Sequence, residues 1–287
     1  MIKFGVAGNS ESFFNEGFKS TIESAPWCRK RGIDVFEYSF GRGIRISENT
    51  AREIGNAFEE NNVQLTVHAP YFTNFSNLEP EKIQTSIDYV IKCLDILDYF
   101  KGDRVVVHPA SQGKLIREDA VAKASENLLH LSKNIIEKNH TNKKVCIETM
   151  GKVGQIGTLY EVMQFCNLAP FFYPCIDFGH INARERGVLK STKDFEKLIK
   201  KLLDNLPYEK VNNMHIHFSK IEYGAKGELR HLTFEDDIYG PNPNHLIEAL
   251  LKFDITPFVI CESRATQAED CIYMKNYYNL LKNEQIY

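Results

Sequence analysis

The chain has no apolar run long enough to cross a bilayer. Its first residues, Met1-Ile2-Lys3-Phe4-Gly5, enter a strand-like run and carry no leader-peptide signature. These lacks argue against a membrane or exported protein and set the expectation of a cytoplasmic one. There is no C-x-x-C pair, and the seven cysteines are odd in number and widely spaced, which argues for reduced thiols. Basic charge is not in excess either. Lys and Arg number 35 against 38 Asp and Glu, a formal net charge of −3. No overall pull toward nucleic acid or membrane follows, although a local basic patch is still allowed. No low-complexity linker and no repeat beyond a β/α unit divides the chain, so residues 1–287 are read as a single domain.

What is present is an alternation. Hydrophobic residues at 43% and charged residues at 25% are ordinary for a globular protein, and the length can bury a large core. Eight short runs rich in Val and Ile, at 2–7, 33–38, 63–67, 104–107, 144–149, 172–176, 211–218 and 257–261, read as strands. Helical patterns separate them: up to about 32, 47–61 with Ser47 as cap, 83–100, 119–138, 158–167, 192–204 and 245–253. Thr266-x-x-Glu269 reads as a capping box opening a last helix. The stretches at 9–14, after Asp177 and after Phe218 read as loops. Alternation predicts a parallel sheet, and eight units predict a closed (β/α)8 TIM barrel.

The same chemistry recurs where these runs end. His68, His108, Glu148, Asp177, His215 and Glu262 stand at the ends of strands three to eight. In such a barrel the C-terminal strand ends meet at one mouth, where active sites lie. One polar residue at a rim needs no explanation; six in register do. Three carboxylates packed without a cation would repel and be costly to desolvate. Glu148 is therefore read as the centre of a metal site suited to zinc, manganese or magnesium. His217 shares a strand face with His215, about 6–7 Å further along, and His215 is the preferred ligand. Cys146 and Cys175 share the inward face as small core fillers, and Cys261 points the other way. His180 and His231 lie in loops, as ligands or as surface residues. His130, His140 and His245 read as surface residues.

The loops supply candidate substrate contacts. Gly151-Lys152-Val153-Gly154-Gln155-Ile156-Gly157 could cradle a phosphate on backbone N–H groups. Arg184, Arg186, Lys220, Lys226, Arg230 and Arg264 fall in loops at the same mouth, and Arg42, Arg45 and Lys152 could join them on one face. They are either solvated charge or a receptor for an anionic substrate.

A set of motifs spanning strands three to eight resembles the endonuclease IV family of the xylose isomerase-like barrels. The set is His68-Ala69-Pro70-Tyr71 with Asn74, Val107-His108-Pro109, Glu148-Thr149-Met150-Gly151 with Gly157, Cys175-Ile176-Asp177-x-x-His180, His215 with Ser219-Lys220, Arg230-His231, and Glu262. The resemblance implies a (β/α)8 barrel holding two or three zinc ions. It implies cleavage of DNA on the 5′ side of abasic sites by a metal-activated hydroxide, a DNA-repair activity. Carried over, Glu148 would bridge two metals, one shared with His68 and His108, the other with Asp177, His215 and Glu262. His180 and His231 would hold the third. Glu148 and Glu262 would be catalytic, and Tyr71 matches a family tyrosine that meets the substrate; Lys152, Arg184, Lys220 and Arg230 are expected to join it from their loop positions at the mouth.

The chain departs from the family in three places. The family has an aspartate two residues before the histidine matching His231; here that residue is Leu229, with Glu228 beside it. The third site is accordingly expected to be weak, vacant or filled by other residues. The first strand lacks the family's histidine, and the loop after strand two lacks its usual pattern. A rival reading is a sugar isomerase or epimerase on the same barrel, with one divalent metal held by Glu148, Asp177, His215 and Glu262. The two glutamates would then be its acid–base pair, and a sugar or small phosphorylated compound its substrate. His68 and His108 favour the multi-metal reading. A non-catalytic metal-binding barrel is the third class. No membrane or protein partner is implied.

Overall fold

A computed structural model describes residues 1–41 and 43–284. Eight strands form the barrel: β1 (Lys3–Ala7), β2 (Val35–Ser39), β3 (Gln64–His68), β4 (Arg104–Val107), β5 (Lys144–Glu148), β6 (Phe172–Asp177), β7 (His215–Phe218) and β8 (Phe258–Cys261). They pair in chain order, all parallel, and β8 closes the ring on β1 through Gly5↔Ile260. The (β/α)8 expectation is met. Strands buried on both faces read as continuous Val and Ile runs, and β4, Arg-Val-Val-Val, is buried throughout.

Several helices start where short polar side chains cap them. Ser47 Oγ accepts the Thr50 N–H at 3.1 Å ahead of Glu48–Glu60. Thr158 and Glu161 form a capping box ahead of Leu159–Cys166. Thr266 behaves otherwise: its hydroxyl donates to Asp270, at 3.1 Å, rather than pairing with Glu269.

Most of the core lies between sheet and helices, with smaller clusters inside the barrel. The interior is tight. A Cβ on Gly5 would lie 2.5 Å from the Val35 carbonyl oxygen, so β1 passes close to β2 only because that residue is glycine. Towards the N-terminal end Arg104 is 2% exposed, stacked 3.6 Å from the Phe258 ring centroid, with Nη1 donating to Asn213 O at 3.2 Å. Above it Val106, Cys146, Tyr173 and Cys175 pack together, so Cys146 and Cys175 are interior fillers as expected. All seven cysteines are free and buried. Burial pushes the Cys28, Cys146 and Cys261 thiols up to about 12. Among the described residues no helix is long and apolar enough to cross a membrane.

Several loops carry more structure than the sequence predicts. Residues Glu11–Asn15 are helical. Residues 211–218 are not one strand: Tyr208–Asn212 is a short helix and β7 starts only at His215. Phe178–Arg184 is a helix whose N-cap is Asp177, with Oδ1 accepting the His180 N–H at 2.8 Å. The polar stretch after β7 contains a hairpin, Ile221–Gly224 paired antiparallel with Gly227–His231. His140, expected at the surface, is buried with Nε2 2.9 Å from Asp95 Oδ1, whereas His130 is exposed.

Candidate metal centre

Glu148 ends β5 at the centre of the mouth, 1% exposed. Its two oxygens face different histidines. Oε2 lies 3.3 Å from His68 Nε2 and 3.0 Å from His108 Nε2. Oε1 lies 3.1 Å from His217 Nδ1 and 3.4 Å from His180 Nδ1. Glu262 Oε2 is 3.5 Å from His217 Nδ1, and Asp177 Oδ2 is 3.0 Å from His180 Nδ1. Glu148, Asp177, His217 and Glu262 thus offer ligand atoms within 4.8 Å of one another, and so do His68, Glu148 and His217.

The imidazoles are held from behind. His68 Nδ1–H donates to Ala69 O at 2.7 Å, and His108 Nδ1–H donates to Tyr71 O at 3.0 Å. Each leaves its Nε2 turned to Glu148. Fixing one ring nitrogen so that the other faces inward is the arrangement that metal-ligating histidines show. Asp177 Oδ2 is buried, and its 3.0 Å contact with His180 Nδ1 is out of line for a hydrogen bond, that N–H donating instead to Thr149 O at 2.9 Å. A buried carboxylate oxygen without a donor, set among two more carboxylates, fits a divalent cation and is costly without one.

Electrostatics follow from that crowding. Burial pushes the Glu148 carboxyl up, but His108 and His217 outweigh it and hold it well below the usual range. Asp177 is likewise pushed up by burial and brought below its ordinary value by His180. Burial pushes His180 and His217 down, yet Asp177, Glu148 and Glu228 around the first, and Cys175, Glu262, Glu37 and Glu148 around the second, raise both well above the ordinary imidazole value. Glu262 is raised, chiefly by burial. The protons held on these imidazoles are those that a cation would displace.

His217, not His215, reaches Glu148 and Glu262. β7 is short, and Asp177 pairs in register with His217, whereas His215 pairs two residues lower with Cys175. His215 lies beneath the site, Nε2 3.0 Å from Glu37 Oε2, and burial lowers its pKa to about 4. The preference for His215 is therefore corrected on geometry. Sequence reasoning also missed Glu37, a carboxylate 1% exposed inside the barrel. Its Oε1 lies 3.0 Å from His217 Nε2, out of line for a straight hydrogen bond. The available signal was one acid inside the otherwise apolar and aromatic run Val35-Phe36-Glu37-Tyr38.

His180 and His231 do come together, and Glu228 turns in beside them, so the expected gap at Leu229 does not leave the pair alone. His180 Nε2 is 3.5 Å from Glu228 Oε2, and His231 Nε2 is 3.9 Å from Glu228 Oε1.

The cavity over these groups holds about 470 Å³ and is lined also by Tyr71, Lys152 and Gln155. Tyr71 is half exposed, stacked on His108 with centroids 5.5 Å apart, and its hydroxyl is 2.8 Å from Ser39 Oγ. Three predicted substrate contacts are committed elsewhere. Arg184 donates to the carbonyls of Met150, Lys152, Val153 and Gln155 and braces that loop. Lys220 donates to Phe234 O and Asp236 O. Arg230 pairs with Glu222. Arg42 lies outside the described residues.

The family described as xylose isomerase-like TIM barrel matches residues 25–277. An uncharacterised protein of Methanocaldococcus jannaschii is 32% identical over 280 residues, 98% of each chain. A probable endonuclease 4 of Acholeplasma laidlawii is 27% identical over 166 residues, which span 56% of this chain and 54% of that relative. A solved D-tagatose 3-epimerase-like protein superposes with a TM-score of 0.72 at 17% identity, covering all of both chains, a likeness of fold.

Proposed function

The chain belongs to the xylose isomerase-like TIM barrel family, and from that premise we propose that it is a metal-dependent phosphodiester hydrolase of the endonuclease IV type. The observation that carries the reading is the divided carboxylate of Glu148, Oε2 turned to His68 and His108 and Oε1 to His217. A carboxylate so placed suits two cations, one on each side. Divalent ions there, with zinc the best match to imidazole and carboxylate donors, would activate water and stabilise charge on phosphate oxygens. In this reading His68 and His108 hold one side. Asp177, His217 and Glu262 hold the other, with His217 taking the part first given to His215. Tyr71 and Lys152 meet the substrate from the open face, and DNA carrying an abasic site is the proposed substrate. Similarity to probable endonuclease 4 proteins supports it.

A second reading rests on one observation of its own. Glu148, Asp177, His217 and Glu262 by themselves form a complete four-donor set for a single cation. With Glu148 and Glu262 as acid and base, that is the equipment of a sugar epimerase. One parallel assay separates them. Metal-loaded protein is offered a duplex with one abasic site, and separately a panel of ketoses and their phosphates. Incision 5′ of the site, abolished in Glu262→Gln, supports the hydrolase; epimerised sugar without incision replaces it with the epimerase.

A further inference from the structure

The hairpin after β7 breaks its own register. Ile221 pairs with His231 and Glu222 with Arg230, but the next pair is Tyr223 with Glu228, so Leu229 has no partner. That is a one-residue β-bulge. In an unbroken strand, residues three apart face opposite sides. The extra residue resets the alternation, so that Glu228 and His231 face the same side and Leu229 is turned out, 60% exposed.

The same side is the barrel mouth. Glu228 reaches His180 and His231 at 3.5 and 3.9 Å, and the three offer ligand atoms within 4.8 Å of one another. Both histidines are held by the other ring nitrogen: His180 Nδ1 lies 2.9 Å from Thr149 O, and His231 Nδ1 lies 2.9 Å from Ser219 Oγ. Their Nε2 atoms are thereby left for a ligand.

The backbone is built to allow the approach. Glu228 N–H donates to Gly151 O at 3.2 Å. A Cβ on Gly151 would lie 2.8 Å from Glu228 Cβ and from His180 Cδ2. Gly227, at φ +88°, would put a Cβ 2.2 Å from Gly151 O. Glycine at both places lets the hairpin lie flat against the loop after β5.

We propose that the bulge at Leu229 makes Glu228 the carboxylate ligand of a separate divalent-cation site with His180 and His231. The proposal rests on the metal reading above. Two imidazoles and one carboxylate, with a position left open, is a donor set that zinc accepts. Its ligands come from the helix after β6 and from the hairpin, so an ion there pins the hairpin to the barrel. Glu228 thus takes the part of the aspartate that Leu229 replaces, from one residue earlier.

The test is zinc content of stripped protein reloaded with zinc alone, measured with amide hydrogen exchange of the hairpin. Glu228→Gln is expected to lose one equivalent, keep the ions of the Glu148 group, and exchange hairpin amides at least tenfold faster. Glu228→Gln combined with Leu229→Asp is expected to stay one equivalent short, because position 229 points outward. A wild-type zinc-soaked crystal gives an independent readout: an anomalous peak about 2.0–2.2 Å from Glu228. Full zinc content in Glu228→Gln, or recovery of the ion by Leu229→Asp, overturns the proposal. A wild type that fills only the Glu148 group overturns it and leaves the hydrolase reading standing. A wild type that binds no zinc, manganese or magnesium overturns both.

Discussion

The Glu37 carboxylate lies 3.0 Å from His217 Nε2, on the side of the ring away from Glu148. Its charge is secured. Burial pushes the carboxyl up, but His217 and His215 outweigh it and hold it well below the usual range. Replacing a carboxylate behind a metal-ligating imidazole typically weakens metal binding about 10- to 100-fold. Glu37→Gln should therefore fold, keep its metal stoichiometry, and bind zinc that much more weakly in chelator competition. Unchanged affinity would mean that Glu37 only fills the barrel.

The two histidines of β7 should separate cleanly. His217→Asn is expected to lower metal content, because its Nδ1 faces both Glu148 and Glu262. His215→Asn is expected to keep full metal content and lose about 1–3 kcal/mol of stability, the cost of disturbing a buried polar contact. Elemental analysis and urea unfolding of both variants decide this. Metal lost from His215→Asn and kept by His217→Asn would reverse the assignment.

Arg184 braces a loop, since its guanidinium meets four carbonyls between Met150 and Gln155. Arg184→Ala should lower stability by about 1–3 kcal/mol and speed proteolysis within 150–157. A residue that served only to bind substrate anion would raise KM and leave the melting temperature where it was.

At the other end of the barrel Asp103 accepts from Arg104 Nε at 2.9 Å and Lys144 Nζ at 2.8 Å. Burial pushes its carboxyl up, but these two cations outweigh it and hold it below the usual carboxylate range. A carboxyl with a depressed folded pKa adds stability that is fully present above the unfolded value, about 4. That stability is lost as pH falls through the folded value. Asp103→Asn should thus cost about 1–3 kcal/mol at neutral pH, and the gap to wild type should narrow below about pH 4. Urea midpoints taken on both sides of that pH measure it. An equal gap at both would show that the ion pairs contribute nothing.

The barrel was legible because strands buried on both faces are short continuous Val and Ile runs. Glu148, Asp177, His68, His108 and Glu262 were legible because ligand-type residues end those runs. Strand parity grouped His215 with His217, but height along the barrel depended on where β7 begins. The helix at Tyr208–Asn212, hidden in a run that reads as strand, sets that start. Glu228 was invisible as a partner of His231 because a bulge reverses alternation without any residue that announces it. Arg184 and Lys220 read as free cations because the carbonyls they bind belong to irregular loops, whose paths no periodicity encodes.

The divided carboxylate of Glu148 has a consequence outside chemistry. Its partners come from the ends of β3, β4 and β7, and the wider donor group adds β6 and β8, so most of the ring meets at one point. Opening any one arc of the barrel would dismantle the whole donor group. Cations held there would act as a clasp on the closed ring, and free ion at about a hundred times its dissociation constant would add about 2.7 kcal/mol to the stability of the folded chain. Heat tolerance and lifetime against proteases would then follow the metal supply, before any substrate is bound.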